Sequence, residues 1–324
     1  MTQIIGDCLQ IQRRYPIVLR EMLMTKCSKV SVITATYNRS ELLKWAIRSV
    51  LSQTFCDWEL IIVGDACTDN TEDVVASFAD PRIRFVNRST SFGEQSGPNN
   101  DGFSLANGRF IAYLNHDDLW FPDHLELLVK FLEESSADLV YALPLSIDAH
   151  NLPFCGITNT ELCYDPSHFA PASLWLLRRE LLEELEGWRA AHSIRIRNPS
   201  QDFLFRAWKK SKRLLCHPRF TAIILPSCSQ PNSYRTHIDK QHEELTYKML
   251  DTHFREQLAT TAARQTTERL HQLMCLSWRK RFGYMFDRIC IRLGIHPDAA
   301  RNTLALRKKG WWIDYLRKMR GLST

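Results

Sequence analysis

Short apolar runs alternating with amphipathic stretches fill the first half of the chain. Residues 29–36 (KVSVITAT) are β-branched and apolar enough for a strand buried on both faces. That run ends at Tyr37-Asn38-Arg39-Ser40. Ser40 is placed to cap a helix reaching about Gln53, with Leu43, Ile47, Val50 and Leu51 on one face. A second run, WELIIVGD, ends in Asp65-Ala66-Cys67-Thr68-Asp69 and leads into a helix through Val74 and Phe78. The pattern then predicts a strand over 83–86, a polar loop over 89–97 and a helix near 99–106. A strand over 110–114, a helix over 122–134 and a strand over 138–142 follow. Such alternation marks a mostly parallel sheet flanked by helices. In these sheets ligands bind beyond the carboxyl ends of the strands, and Tyr37, Asp65, Asp117 and Asp118 all fall there.

The alternation decays after about residue 145. Prolines and aromatics make 150–170 an irregular, partly extended stretch. A strand over 174–177 precedes a helix over 178–186. A helix over 201–210 partly buries Phe203, Phe205 and Trp208, a strand covers 221–225, and 232–237 is a loop. From residue 240 the pattern is helical, with interruptions near Gly283, His296-Pro297 and Gly310. Three parts follow: an N-terminal arm over 1–28, an α/β domain over 29–240, and a helical basic extension over 241–324.

A chain of 324 residues can bury a sizeable core, and 44% hydrophobic with 24% charged residues is ordinary globular composition. The net charge of +6 is mild but uneven, with clusters at Arg279-Lys280-Arg281, Arg307-Lys308-Lys309 and Arg317-Lys318. Two readings of the tail stand. Trp311-Trp312 with Tyr315 and flanking cations suits an interfacial contact with an anionic membrane. The same aromatics also suit packing on the α/β domain or on a partner subunit. Ten cysteines without a CxxC pair, and no signal peptide, read as reduced thiols of a cytoplasmic protein. No apolar run approaches the roughly 20 residues that span a bilayer, and no nucleic-acid-binding module is recognisable.

The chemistry concentrates in FIAYLNHDDLWFPDHL. Asp117 and Asp118 repel each other unless something positive lies between them and a ligand. A hard divalent cation carrying a nucleotide diphosphate meets that need, since Mg2+ takes one or two carboxylates plus phosphate oxygens. A solvated strand end followed by a helix cap is the plainer alternative.

Five segments together resemble family 2 glycosyltransferases of the GT-A fold. They are VSVITATYNRSELLKWAIRSVLSQTFCDWELIIVGDACTDNT, GRFIAYLNHDDLWFPDHL, LWLLRRELLEELEGWR, SQDFLFRAW and SYRTH. The resemblance covers roughly residues 29 to 240. It implies a nucleotide-binding half over 29–145 and an acceptor-binding half over 146–240. It also implies that Ala35 and Tyr37 meet the nucleotide, with Tyr37 stacking on the base, and that Asp65 accepts a base N–H. Asn115-His116-Asp117-Asp118 resembles the DxD motif for ribose and metal, so Asp117 would serve the nucleotide and, with Asp118, the metal. Asp202 resembles the catalytic base, His237 a loop ligand of the metal or diphosphate, and Arg235 a phosphate partner.

The implied activity is inverting transfer of a sugar from a nucleotide-diphosphate donor, with a lean to UDP, using Mg2+ or Mn2+. The acceptor is a glycan or lipid-linked hydroxyl. Four departures stand out: Asn115 for the usual Asp, Gln201 for the usual Glu, no arginine in Gly97-Pro98-Asn99-Asn100, and Glu186-Gly187 for a glycine pair. A nucleotide-sugar or glycan binder of the same fold is the competing reading. A nucleotidyltransferase would want a glycine-rich phosphate loop where Ala35-Thr36-Tyr37-Asn38 stands.

Overall fold

The computed structural model describes residues 28–147, 153–155, 161–225, 239–274 and 278–322. β1 (Val30–Thr36) leads into α1 (Ser40–Leu51), β2 (Trp58–Gly64), α2 (Thr71–Ala76) and β3 (Ile83–Asn87). α3 (Ser96–Leu105), β4 (Phe110–Tyr113), β5 (Leu119–Trp120), α4 (His124–Glu134) and β6 (Leu139–Ala142) complete the alternating half. A short ribbon follows, β7 (Leu145–Ile147) paired with β8 (Pro153–Cys155). Next come β9 (Trp175–Arg178), α5 (Arg179–Glu184), α6 (Pro199–Lys209), β10 (Leu214–His217) and β11 (Ala222–Ile223). The chain continues as α7 (Asp239–Lys248), α8 (Thr252–Met274), α9 (Trp278–Arg292), α10 (Pro297–Leu304) and α11 (Trp311–Met319).

Seven strands form one sheet in the order β10-β6-β9-β4-β1-β2-β3. All neighbours run parallel except β9, which inserts antiparallel between β4 and β6. Val30, Val32, Ile61, Ile62, Val63, Ile111 and Val140 are buried, as a sheet covered on both faces requires. In the parallel register Thr36 of β1 faces Gly64 of β2, and Ile33 faces Tyr113 of β4. The carboxyl ends of these three strands are therefore adjacent.

Of the predicted boundaries that shift, three have a visible cause. Ser40 is the first residue of α1 rather than its cap, and Arg39 takes the cap position. The Ser40 N–H is satisfied instead by Asp69 Oδ2 at 3.2 Å, and its hydroxyl donates to Asn70 Oδ1 at 2.7 Å. A carboxylate from the loop after β2 replaces the local hydroxyl. α1 also stops at Leu51, because Gln53 is buried and occupied: its amide N–H donates to Phe121 O, and its carbonyl accepts from Leu125 N. α2 ends before Phe78, with Ala79 in a left-handed turn at φ 49°.

A second core lies under β5 and β11. Trp45, Leu119, Phe121, Phe220 and Leu225 meet Leu245 of α7, Met249 just after it, and Leu258 and Ala262 of α8. Each of those large side chains from the helical segment contributes about 1.5–3 kcal/mol by burial. α8 is further held by paired hydrogen bonds from Arg255 to Asp123 at 2.7 and 2.5 Å.

Candidate active site

Two strand-end loops build the first wall. Asn38 sits in the left-handed region at φ 48°, which asparagine tolerates. Its side-chain oxygen accepts from the Thr68 and Asp69 amides, stitching the loop after β1 to the loop after β2. Gly64 ends β2, where a Cβ would come within 2.5 Å of Asn87 Oδ1, so a larger residue would displace the oxygen that accepts from Cys67 N. Tyr37 and Asp65 are thereby brought to one cleft. The Asp65 carboxylate accepts from Ser91 Oγ, Phe92 N and Gly93 N at 2.8, 2.6 and 2.8 Å, with Arg88 at 3.5 Å. It organises the 91–93 loop as well as facing the cleft.

The acidic loop after β4 forms the floor. Asp118 is buried, and its oxygens accept from Asn115 Nδ2 (2.8 Å), Ser173 Oγ (2.5 Å) and Leu225 N (3.0 Å). Burial, and secondarily the Asp117 charge, push its pKa up to about 8 against the pull of those donors. His116 hydrogen-bonds through Nδ1 to Ala35 O at 3.2 Å, and burial lowers its pKa, which favours the neutral ring. His242 of α7 donates from Nε2 to the Asp117 carbonyl at 2.9 Å. The acid pair is thus fixed from three elements.

The third wall is the head of α6. Ser200 and Gln201 line the cleft, whereas Asp202 does not. The Asp202 carboxylate is engaged by Arg206 one turn on, at 2.7 Å. Arg206 also donates to Leu185 O and Gly187 O at 2.5 and 2.7 Å, tying α6 to the turn after α5. In that turn Glu186 adopts φ 54° and Gly187 φ 70°. Glu186 therefore occupies a conformation that suits a glycine, at a cost of about 1–2 kcal/mol. Trp175, Trp188 and Phe203 stack at 5.7–5.8 Å behind this wall and fix its position.

The resulting cleft holds about 490 Å3 and is lined by Ala35, Tyr37, Asp65, Asn115, Asp117 and Asp118 together. Arg235 and His237 lie outside the described residues. His116, Ser173, His242 and Arg206 were not among the predicted site residues. Their roles depend on contacts between distant segments, except for the i, i+4 spacing of Asp202 and Arg206. The cleft is also lined by α11, through Trp312, Leu316 and Arg317, and by Arg320 just past its end.

Among the described residues no group of three or more His, Cys, Asp or Glu is arranged to hold a metal ion. A diphosphate-borne ion asks for less: one or two carboxylates, with phosphate oxygens completing the shell. Asp117 at the cleft fits that demand. Asp118 behind it, with its raised pKa, marks a place where added positive charge is favourable.

Residues 31–186 match the family model described as Glycosyl transferase family 2. WfgD of Escherichia coli, a UDP-Glc:alpha-D-GlcNAc-diphosphoundecaprenol beta-1,3-glucosyltransferase, is 35% identical over 112 residues, covering 35% of this chain and 44% of WfgD. The putative teichuronic acid biosynthesis glycosyltransferase TuaG of Bacillus subtilis is 38% identical over 109 residues, covering 33% of this chain and 43% of TuaG. The chain thus spans less than half the length of these relatives. S. aureus TarS, solved with UDP-GlcNAc, superposes with a TM-score of 0.54 at 16% identity, over 71% of this chain and 70% of that one. The mannosyltransferase PcManGT from Pyrobaculum calidifontis, solved with GDP-Man and Mn2+, gives 0.51 at 16%, over 91% and 86%. The domain at residues 31–186 belongs to glycosyl transferase family 2, and the fold is GT-A.

Proposed function

We propose that this protein is an inverting glycosyltransferase, moving a sugar from a UDP-sugar to a hydroxyl of a glycan or lipid-linked acceptor in surface polysaccharide biosynthesis. The observation that carries this reading is the convergence of Tyr37, Asp65 and Asp117 on one cleft at the carboxyl ends of three adjacent strands. Two relatives named for UDP-Glc and a diphosphoundecaprenol-linked acceptor support the donor and the acceptor class.

In the reaction an acceptor oxygen attacks the anomeric carbon, the bond to the diphosphate breaks, and the acceptor proton must leave. Asp202, beside the cleft-lining Gln201, is the proposed proton acceptor. The acceptor has to approach the head of α6 for that transfer, with Asp202 turned from Arg206 toward it. Tyr37 and Asp65 orient the nucleotide, which holds the donor in one pose for attack. Asp117, with Asp118 behind it, would hold a Mg2+ or Mn2+ ion, which would supply Lewis-acid neutralisation of the diphosphate charge.

The Asp202–Arg206 ion pair favours a second reading, a nucleotide-sugar binder without turnover. A donor panel assayed with Mg2+ and with Mn2+, followed by mass analysis of products, separates the two. Transfer requires release of nucleoside diphosphate that Asp202→Asn abolishes while donor binding persists. A protein that binds donors yet releases none across the panel is a binder.

We further place the protein at the cytoplasmic face of a membrane through α9. No helix among the described residues is long and apolar enough to cross a bilayer. α9 instead exposes Phe282, Met285 and Ile289 at helical spacing, and Leu293 just past its end continues the stripe, with fractional exposures of 57%, 50%, 49% and 68%. Arg292 is exposed beside them, and Arg288, paired with Asp165, flanks the same stripe. An apolar face edged by arginine suits an anionic lipid surface.

A further inference from the structure

We propose that α11 supplies the diphosphate-binding cations of the donor site, with Arg320 and Arg317 reaching the leaving group from outside the family-matching segment. The proposal rests on the donor reading above and adds residues to it.

Charge at the cleft is the first argument. Its described lining includes four carboxylates, Asp65, Glu94, Asp117 and Asp118, and three cations, Arg197, Arg317 and Arg320. Two of those three cations stand on or just beyond α11. α3 carries no basic residue over its ten positions, so the α/β half offers no cation there. A nucleoside diphosphate brings further negative charge, and guanidinium groups pair well with phosphate oxygens.

Attachment is the second argument. Gly310 starts the helix at φ 75°, and a Cβ there would come within 3.1 Å of His192 Cα. Asn302 Nδ2 donates to Arg195 O at 2.7 Å, and Arg195 Nη1 donates to Arg307 O at 2.9 Å. The segment carrying α11 is thus docked on residues 191–195 through backbone contacts.

The third argument links α11 to the base-binding acid. Arg317 Nη1 donates to Gly93 O at 2.6 Å, and Gly93 N donates to Asp65 Oδ2 at 2.8 Å. A Cβ at Gly93 would approach Arg317 Nη1 to 2.9 Å, so this loop is shaped to receive the arginine. Arg320 in turn lies within electrostatic reach of His116, beside Asp117. One segment therefore bonds the loop organised by Asp65 through Arg317 and carries Arg320 to the cleft that the acidic floor lines.

The test is calorimetric titration of UDP, GDP and uridine into the full-length wild type, Arg320→Gln, Arg320→Lys and Arg317→Gln, in EDTA and with Mn2+. UDP affinity should fall about tenfold or more in Arg320→Gln. Uridine affinity should stay unchanged, and Arg320→Lys should recover part of the loss. Thermal melting at the wild-type temperature confirms that the variants are folded. Arg317→Gln should weaken UDP as well, and uridine too if the Gly93 loop shifts. If wild type binds UDP or GDP and both glutamine variants match it, the clamp is wrong while the donor reading survives. Tighter UDP binding in the variants overturns it in favour of a helix that plugs the cleft. A wild type that binds no nucleoside diphosphate sinks the donor reading and the clamp with it.

Discussion

Asp118 accepts three hydrogen bonds at a position shielded from water, with Asp117 as its neighbour in the chain. Its folded pKa is raised from 3.8 to about 8, with burial as the leading cause. Between those values the folded protein binds more protons at this site than the unfolded chain does. The contribution of Asp118 to stability is thus fully present below the lower value and is lost as pH climbs to the upper one. Urea midpoints measured across that window in EDTA should decline with pH in wild type and be flatter in Asp118→Asn. Mn2+ should restore stability most at the alkaline end, where the ionised pair can meet a cation. Parallel pH profiles for the two proteins, with no extra gain from Mn2+ at high pH, would show that Asp118 is not the group responsible. At the same scale, Glu186 is a departure from the family pattern with a visible structural setting. Glu186 holds a left-handed turn, and Arg206 ties that turn to Asp202.

α7 is the element whose role follows least from pattern. His242 is a single histidine on a largely polar helix, yet it donates to the Asp117 carbonyl, while Leu245 and Met249 anchor the helix in the second core. It is a positioning residue. His242→Ala should raise donor KM and the Mn2+ concentration needed, about three- to tenfold, with kcat less affected. His242→Gln, which keeps a donor, should recover much of that. A lowered melting temperature with unchanged donor and metal dependence would make the role purely structural. The strands and the residues at their ends were legible because continuous β-branched runs and strand–helix alternation encode a parallel sheet locally. The antiparallel insertion of β9 was not, since strand order is a tertiary property that no run of WLLR declares. α11 reads as amphipathic in sequence, but which surface its tryptophans meet is decided by residues 191–195 and Gly93, more than a hundred positions away. Asp202 was placed correctly at a helix head, whereas its engagement by Arg206 depends on where the turn at Leu185 and Gly187 lies.

For the whole molecule, two helices of the C-terminal extension face different tasks. α11 turns Trp312 and Leu316 into the cleft, so those side chains are committed to the protein. α9 and the residue after it leave Phe282, Met285, Ile289 and Leu293 in solvent, which a monomer in water gains nothing from exposing. An acceptor carried on a lipid would place the reaction within reach of a membrane, and a face of this kind would hold the enzyme there. The full-length protein should therefore sediment with vesicles containing anionic lipid and much less with neutral ones. Ile289→Glu should release it, since a carboxylate both removes apolar contact and repels the lipid charge. Arg292→Gln should weaken binding more at low than at high salt, because screening already suppresses that contribution. Transfer to a water-soluble acceptor should be unaffected by either change, as no residue of α9 lines the cleft. If Ile289→Glu sediments as wild type does, the stripe is not the membrane face. A change instead from dimer to monomer on analytical ultracentrifugation would assign it to a second copy of the chain.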